Sequence, residues 1–147
     1  MSRRKINWQM LPLFLMLVLA LVGCGVQANT SAPAADGGAS KSLYLPVHVD
    51  AATVNNVRNR DDIVLIDVRE DREYAEGHIP GAVLIPFDQI PNRLNEIPQD
   101  KTVIAVCRSG NRSSQVISFL SQQGFNNIHN MQGGMLAWDQ AGYEIEK

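Results

Sequence analysis

The chain has 147 residues, 45% hydrophobic and 19% charged, with a formal net charge of −2; that is one ordinary domain and too little for two. Three basic residues (Arg3, Arg4, Lys5) sit in an N-terminal segment expected to be removed, and beyond it 10 basic residues face 15 acidic ones, a net of −5. An acidic body is a poor binder of phosphate backbones, which excludes nucleic-acid binding as the main role.

The N-terminus joins a basic head to a 13-residue apolar run, Met10 to Val22, the layout of a secretory signal. The run is shorter than the about 20 residues a spanning helix needs, and Pro12 weakens it further, so a retained membrane anchor is disfavoured. Arg3-Arg4 lacks the following Phe-Leu of a twin-arginine signal and is read as an ordinary positive head. The run ends in Leu21-Val22-Gly23-Cys24, which resembles a bacterial lipobox. The resemblance implies cleavage before Cys24, lipidation of that cysteine, and an extracytoplasmic protein anchored to a bacterial membrane, each buried methylene adding ~0.8 kcal/mol. Residues 1–23 are thus read as signal peptide and 24–42 as lipidated N-terminus and tether. Gly, Ala, Ser, Asn, Thr and Pro dominate from Gly25 to Ser42 and cannot bury enough apolar surface to offset ordering entropy.

The folded domain is expected over 43–147. Leu43 to Val49 reads as a short strand or extended entry, and Asp50 as the N-cap of a helix to about Arg58. Ile63–Ile66, Ala82–Ile85 and Thr102–Val106 are apolar runs with the pattern of strands buried on both faces. Helices are expected at Asp71–Glu76, near Ile90–Asn95, at Ser113–Gln123 with Gly124 as C-cap, and from Gly133-Gly134 to near Gly142. Asn127–Met131 reads as a further strand. Strands alternating with helices imply an α/β fold with a central parallel sheet covered on both faces, its site outside the carboxyl ends of the strands.

Cys107 stands in that place, followed by Arg108-Ser109-Gly110-Asn111-Arg112. A thiol between a strand end and a helix start faces main-chain N–H groups, and both these and the flanking Arg108 and Arg112 favour the nucleophilic thiolate. An inert core cysteine is disfavoured by its polar neighbours. A disulfide to Cys24 is disfavoured because a lipidated Cys24 has no free thiol. The three histidines (His48, His78, His129) are widely separated, so no metal cluster is expected.

Four pieces occur in order: Asp67-Val68-Arg69, Gly77-His78-Ile79-Pro80-Gly81-Ala82, the six-residue loop Cys107 to Arg112, and Gly133-Gly134 with Trp138 and Ala141-Gly142. Together they make the domain similar to a single-domain rhodanese. The resemblance implies a rhodanese-like fold and a sulfurtransferase of the thiosulfate sulfurtransferase type. Cys107 would take sulfur from a small anionic donor as a persulfide cradled by Arg108 to Arg112 and pass it to cyanide or a thiol, with no cofactor. Arg108 and Arg112 either bind the donor's anionic end or sit as solvated loop charges. Asp67 and Arg69 are read as a structural pair supporting the loop, His78 as architectural, and Trp138 as core. A cysteine phosphatase or arsenate reductase would need Cys, five residues, then Arg; here Ser113 occupies that place. A persulfide carrier or protein-docking module, handing sulfur to a partner without small-molecule turnover, uses the same cysteine and stays open.

Overall fold

The computed structural model describes residues 43–147. The signal peptide, Cys24 and tether of the sequence reading lie outside these residues.

Five parallel strands form one sheet: β1 (His48–Val49), β2 (Ile63–Asp67), β3 (Val83–Leu84), β4 (Thr102–Val106) and β5 (Ile128–Met131), in the order β1-β5-β4-β2-β3. The helices are α1 (Ala51–Val57), α2 (Asp71–Glu76), α3 (Asn111–Gln122) and α4 (Gly134–Gln140). Alternation along the strands divides the core into two layers. Ile63, Leu65, Ile104, Val106 and Met131 point to one face, where Ala51 and Val54 of α1 and Met135 and Trp138 of α4 cover them. Ile66, Val103, Cys107 and Ile128 point to the other, under Val116, Ile117 and Leu120 of α3. Both layers are needed because a parallel sheet buries its two faces.

Local signals set the element ends. Asp50 caps α1 by accepting from the Thr53 N–H at 2.7 Å. Glu70 and Glu73 form a reciprocal capping box that starts α2, and Gly77 ends it. Trp138 is fully buried and its indole N–H donates to the Glu144 carbonyl at 2.9 Å, so this large side chain is core without leaving a buried donor unpaired.

Several boundaries differ from expectation. The entry segment pairs only over His48–Val49, since it lies at the edge of the sheet and has β5 as its one neighbour. Val83 is 49% exposed because β3 is the opposite edge, so that strand is not buried on both faces. The helix expected near Ile90–Asn95 is a pair of 3-10 turns, Phe87–Asn92 and Leu94–Glu96; Pro91 inside the first has no N–H to give an α-helical bond. α3 begins at Asn111, two residues earlier than expected, and ends with Gln123 as its cap while Gly124 follows at φ +90. Leu136 of α4 is 52% exposed and faces outward.

Candidate active site

β4, the central strand, delivers Cys107 to the carboxyl edge of the sheet, and the chain turns at once into α3. The turn is tight because Gly110 takes φ +92 immediately before the helix, a left-handed conformation that glycine adopts without penalty. Its tip therefore folds back over the sulfur. The Gly110 N–H donates to Cys107 Sγ at 3.1 Å, and the Ser113 hydroxyl oxygen lies 3.3 Å from the same sulfur.

A second support comes from the Gly133-Gly134 turn. The Met135 N–H donates to the Cys107 carbonyl at 2.8 Å and the Leu136 N–H to the Arg108 carbonyl at 3.0 Å. These amides open α4 and have no partner within their own helix. The approach is possible only without a side chain: a Cβ on Gly134 would stand 2.2 Å from the Cys107 carbonyl oxygen.

The thiol itself is buried. Cys107 is 1% exposed and packs on the α3 side of the sheet, although its neighbours Arg108, Ser109 and Asn111 are exposed. The polar run that follows the cysteine in sequence thus forms the outside of the loop, with the sulfur turned inward beneath it. Burial is the largest influence on the thiol and pushes its pKa up. Hydrogen bonds from the Ser113 hydroxyl and from the N–H groups of Ser113, Ser109 and Gly110 outweigh it, and the thiol rests below its ordinary value. Main-chain amides were expected to contribute; the serine hydroxyl was not.

The two arginines do different things. Arg112 turns away to Glu73 of α2 and donates twice to its carboxylate, at 2.7 Å each. The Arg112 hydrogen bonds hold the Glu73 carboxyl down at about 2, against desolvation that pulls the other way. Arg112 interacts with the sulfur through its charge, while hydrogen bonds are the principal causes that lower the thiol pKa. The Arg108 side chain makes no hydrogen bond or ion pair among the described residues. It lines a cleft of about 870 Å³ with Arg69, Glu73, Arg112 and Leu136.

Asp67 and Arg69 form a buried pair at the end of β2, with Arg69 Nη2 2.7 Å from Asp67 Oδ2. Arg69 Nε also donates to the Asp67 carboxylate, and Nη1 and Nη2 donate to the carbonyls of Glu73 and Gly77. The pair therefore ties the carboxyl end of β2 to α2 and the turn after it, and the Glu73 side chain of α2 grips Arg112 of α3. His78 stacks on Tyr74 with ring centroids 3.6 Å apart, and its backbone pairs with Glu146. It belongs to the frame.

Sequence reasoning missed Ser113, Asn130 and Glu73. Ser113 directly follows the loop and could have been found from the helix start. Asn130 joins through a 2.6 Å contact with the Ser113 hydroxyl, from a different strand.

Comparison with known proteins agrees with this arrangement. A family model described as Rhodanese-like domain matches residues 50–141. The chain is similar to a "Sulfurtransferase" of Allochromatium vinosum, 44% identical over 85 residues that cover 58% of this chain and 79% of the relative. It is also similar to "Thiosulfate sulfurtransferase GlpE" of Pseudoalteromonas translucida, 33% identical over 94 residues, 64% of this chain and 90% of that one. The crystal structure of a rhodanese-like domain protein from Staphylococcus aureus superposes with a TM-score of 0.61 at 35% identity, covering 69% of this chain and 100% of the other. The matched segment contains the sheet core, the Cys107 loop and the Gly133-Gly134 turn that holds it, and the chain belongs to the rhodanese-like family.

Proposed function

We propose that this protein is a sulfurtransferase that moves a sulfane sulfur from thiosulfate or a similar donor to cyanide or a thiol through a persulfide on Cys107. The observation that carries the proposal is the 3.1 Å hydrogen bond from the Gly110 N–H to Cys107 Sγ, because it marks a loop whose donors stabilise negative charge on sulfur. The Cys107 thiolate attacks the outer sulfur of thiosulfate. The donor S–S bond breaks, its electron pair leaves on sulfite, and the charge passes to the terminal sulfur of the new persulfide. Cyanide then attacks that sulfur and departs as thiocyanate, restoring the thiolate. This is double displacement through a covalent intermediate, and no cofactor takes part in it.

The loop residues Arg108, Ser109, Gly110, Asn111 and Arg112 have separate duties in this reading. Amides of Ser109 and Gly110 hold the sulfur, Asn111 begins α3, and Arg112 clamps the loop to Glu73. Arg108 is the loop cation without an ion-pair partner among the described residues, and it lines the cleft that an incoming anion would enter. A six-residue loop with its last arginine engaged by Glu73 supports a single sulfur atom in preference to a tetrahedral oxyanion.

The burial of Cys107 supports a second reading, a persulfide carrier that releases sulfur only to a docked protein. One assay separates them: thiocyanate formation from thiosulfate and cyanide by wild type and Cys107→Ser. Turnover that Cys107→Ser abolishes supports the enzyme. A persulfide that forms and resists cyanide supports the carrier. Turnover that survives in Cys107→Ser removes both.

The sequence from Arg3 to Cys24 supports placing this activity outside the cytoplasm, on a lipid anchor at Cys24. Mass analysis of the membrane-extracted N-terminus tests that placement.

A further inference from the structure

The sulfur chemistry above uses main-chain amides and the Ser113 hydroxyl, and leaves the polar side chains behind that serine without a role. Ser113 is fully buried, and its hydroxyl oxygen lies 3.3 Å from Cys107 Sγ and 2.6 Å from Asn130 Oδ1. Asn130 is 4% exposed, and its Nδ2 lies 3.1 Å from Nδ1 of His48 on the neighbouring edge strand, where the register sets the two residues side by side. His48 is exposed to solvent. The line runs from the surface to the nucleophile.

Its hydrogen count is short by one. A serine hydroxyl carries a single hydrogen, and two groups here can accept it. While the thiol is protonated, S–H points at the Ser113 oxygen, Ser113 O–H points at Asn130 Oδ1, and every group is satisfied. Once the thiol ionises, sulfur needs the Ser113 hydrogen and the buried Asn130 oxygen loses its donor. An unsatisfied buried acceptor is costly.

We propose that Asn130 is a positioning residue for the sulfur chemistry, competing with Cys107 for the one hydroxyl hydrogen of Ser113 and so setting how readily the thiol ionises. His48 fixes the direction of the competition: its Nδ1 accepts from Asn130 Nδ2, which aims Oδ1 at Ser113. The thiol proton leaves to solvent and no electron is transferred. The charges around the sulfur are Arg112 on α3 with Glu73 of α2 upon it, the Asp67–Arg69 pair at the end of β2, and Arg108 in the loop. Beside His48, His129 of β5 is engaged by the Pro46 carbonyl and Asp50 by Thr53. None of these is hydrogen-bonded to Ser113 or Asn130 among the described residues. The inference deepens the reading of Cys107 as nucleophile and rests on it for its consequence.

The test is a titration of the Cys107 thiolate by its ultraviolet absorbance on the full chain, with Cys107→Ser subtracted. Asn130→Leu removes the competing acceptor at similar volume. The midpoint is expected to fall by about 0.5 to 1 pH unit, about three- to tenfold more thiolate below the midpoint. In a Ser113→Ala background the same substitution is expected to change nothing. A merely structural asparagine predicts no shift in either background, and that result overturns the proposal, as does an upward shift or an equal fall in both. Should Asn130→Leu not fold by circular dichroism, Asn130→Asp takes its place, expected to raise the midpoint by an amount that shrinks by about half or more without Ser113. An undiminished rise means charge acting through space and overturns the proposal. The titration needs no sulfur donor, so its failure leaves sulfur transfer standing, and failure of sulfur transfer leaves the titration readable.

Discussion

Arg112 of α3 and Glu73 of α2, 39 positions apart, close on each other with two hydrogen bonds of 2.7 Å. The guanidinium that ends the cysteine loop is thus engaged by a carboxylate, and that carboxylate also accepts the Glu70 N–H at 3.1 Å in the capping box. Glu73→Gln and Arg112→Ala should each lower stability by about 1–2 kcal/mol, reduced from a fully buried pair because both side chains are partly exposed. The double variant should cost little more than either alone. Urea unfolding of the four proteins checks the cycle.

The same pair predicts an acid response. The Glu73 carboxyl sits at about 2 in the fold against 4.5 for an ordinary glutamate. A depressed carboxylate contributes stability above its unfolded value and loses it as pH falls toward its folded one. Wild type should therefore lose its advantage over Glu73→Gln between pH 4.5 and about 2. Unfolding midpoints of both proteins at stepped pH should converge there, and they should stay parallel if the pair contributes nothing.

Gly134 is the point where α4 meets the loop carbonyls. Its φ is +56, and an added Cβ would fall 2.2 Å from the Cys107 oxygen and 2.6 Å from the Arg108 carbonyl carbon. Gly134→Ala should cost about 2–4 kcal/mol and displace the loop. Gly124→Ala also has positive φ but meets nothing within 4 Å, so it should cost only about 1 kcal/mol and leave thiol reactivity intact. Comparing alkylation rates of Cys107 in the two variants checks that the loss follows the loop contact.

Arg108 is exposed and lines the cleft without an ion-pair partner among the described residues. Arg108→Ala should raise KM for thiosulfate by about three- to tenfold, with stability changed by less than about 0.5 kcal/mol. Steady-state kinetics at two ionic strengths checks this, because an electrostatic contribution fades with salt.

What the sequence made legible follows from how local each signal is. The strands β2 and β4 and the helix α1 announce themselves through apolar runs and the Asp50 cap, all read within a few residues. The 3-10 turns escaped because Pro91 falls inside a helix-like pattern. The loop from Cys107 to Arg112 was readable because its donors are contiguous. Glu73 and Asn130 were not, since their roles exist only once α2 reaches α3 and β5 lies beside β1 and β4. The sulfur's inward turn was likewise hidden: alternation assigns Cys107 to the α3 face only when the register of β4 is known.

The central claim is that the amide-lined loop lets Cys107 hold a second sulfur atom. Intact-protein mass spectrometry after incubation with thiosulfate, then with cyanide, tests it most directly. The account predicts a mass gain of one sulfur atom that maps to Cys107, is lost on adding cyanide with matching thiocyanate release, and never forms in Cys107→Ser. An unmodified Cys107 at saturating thiosulfate, in protein that is folded by circular dichroism, would contradict it.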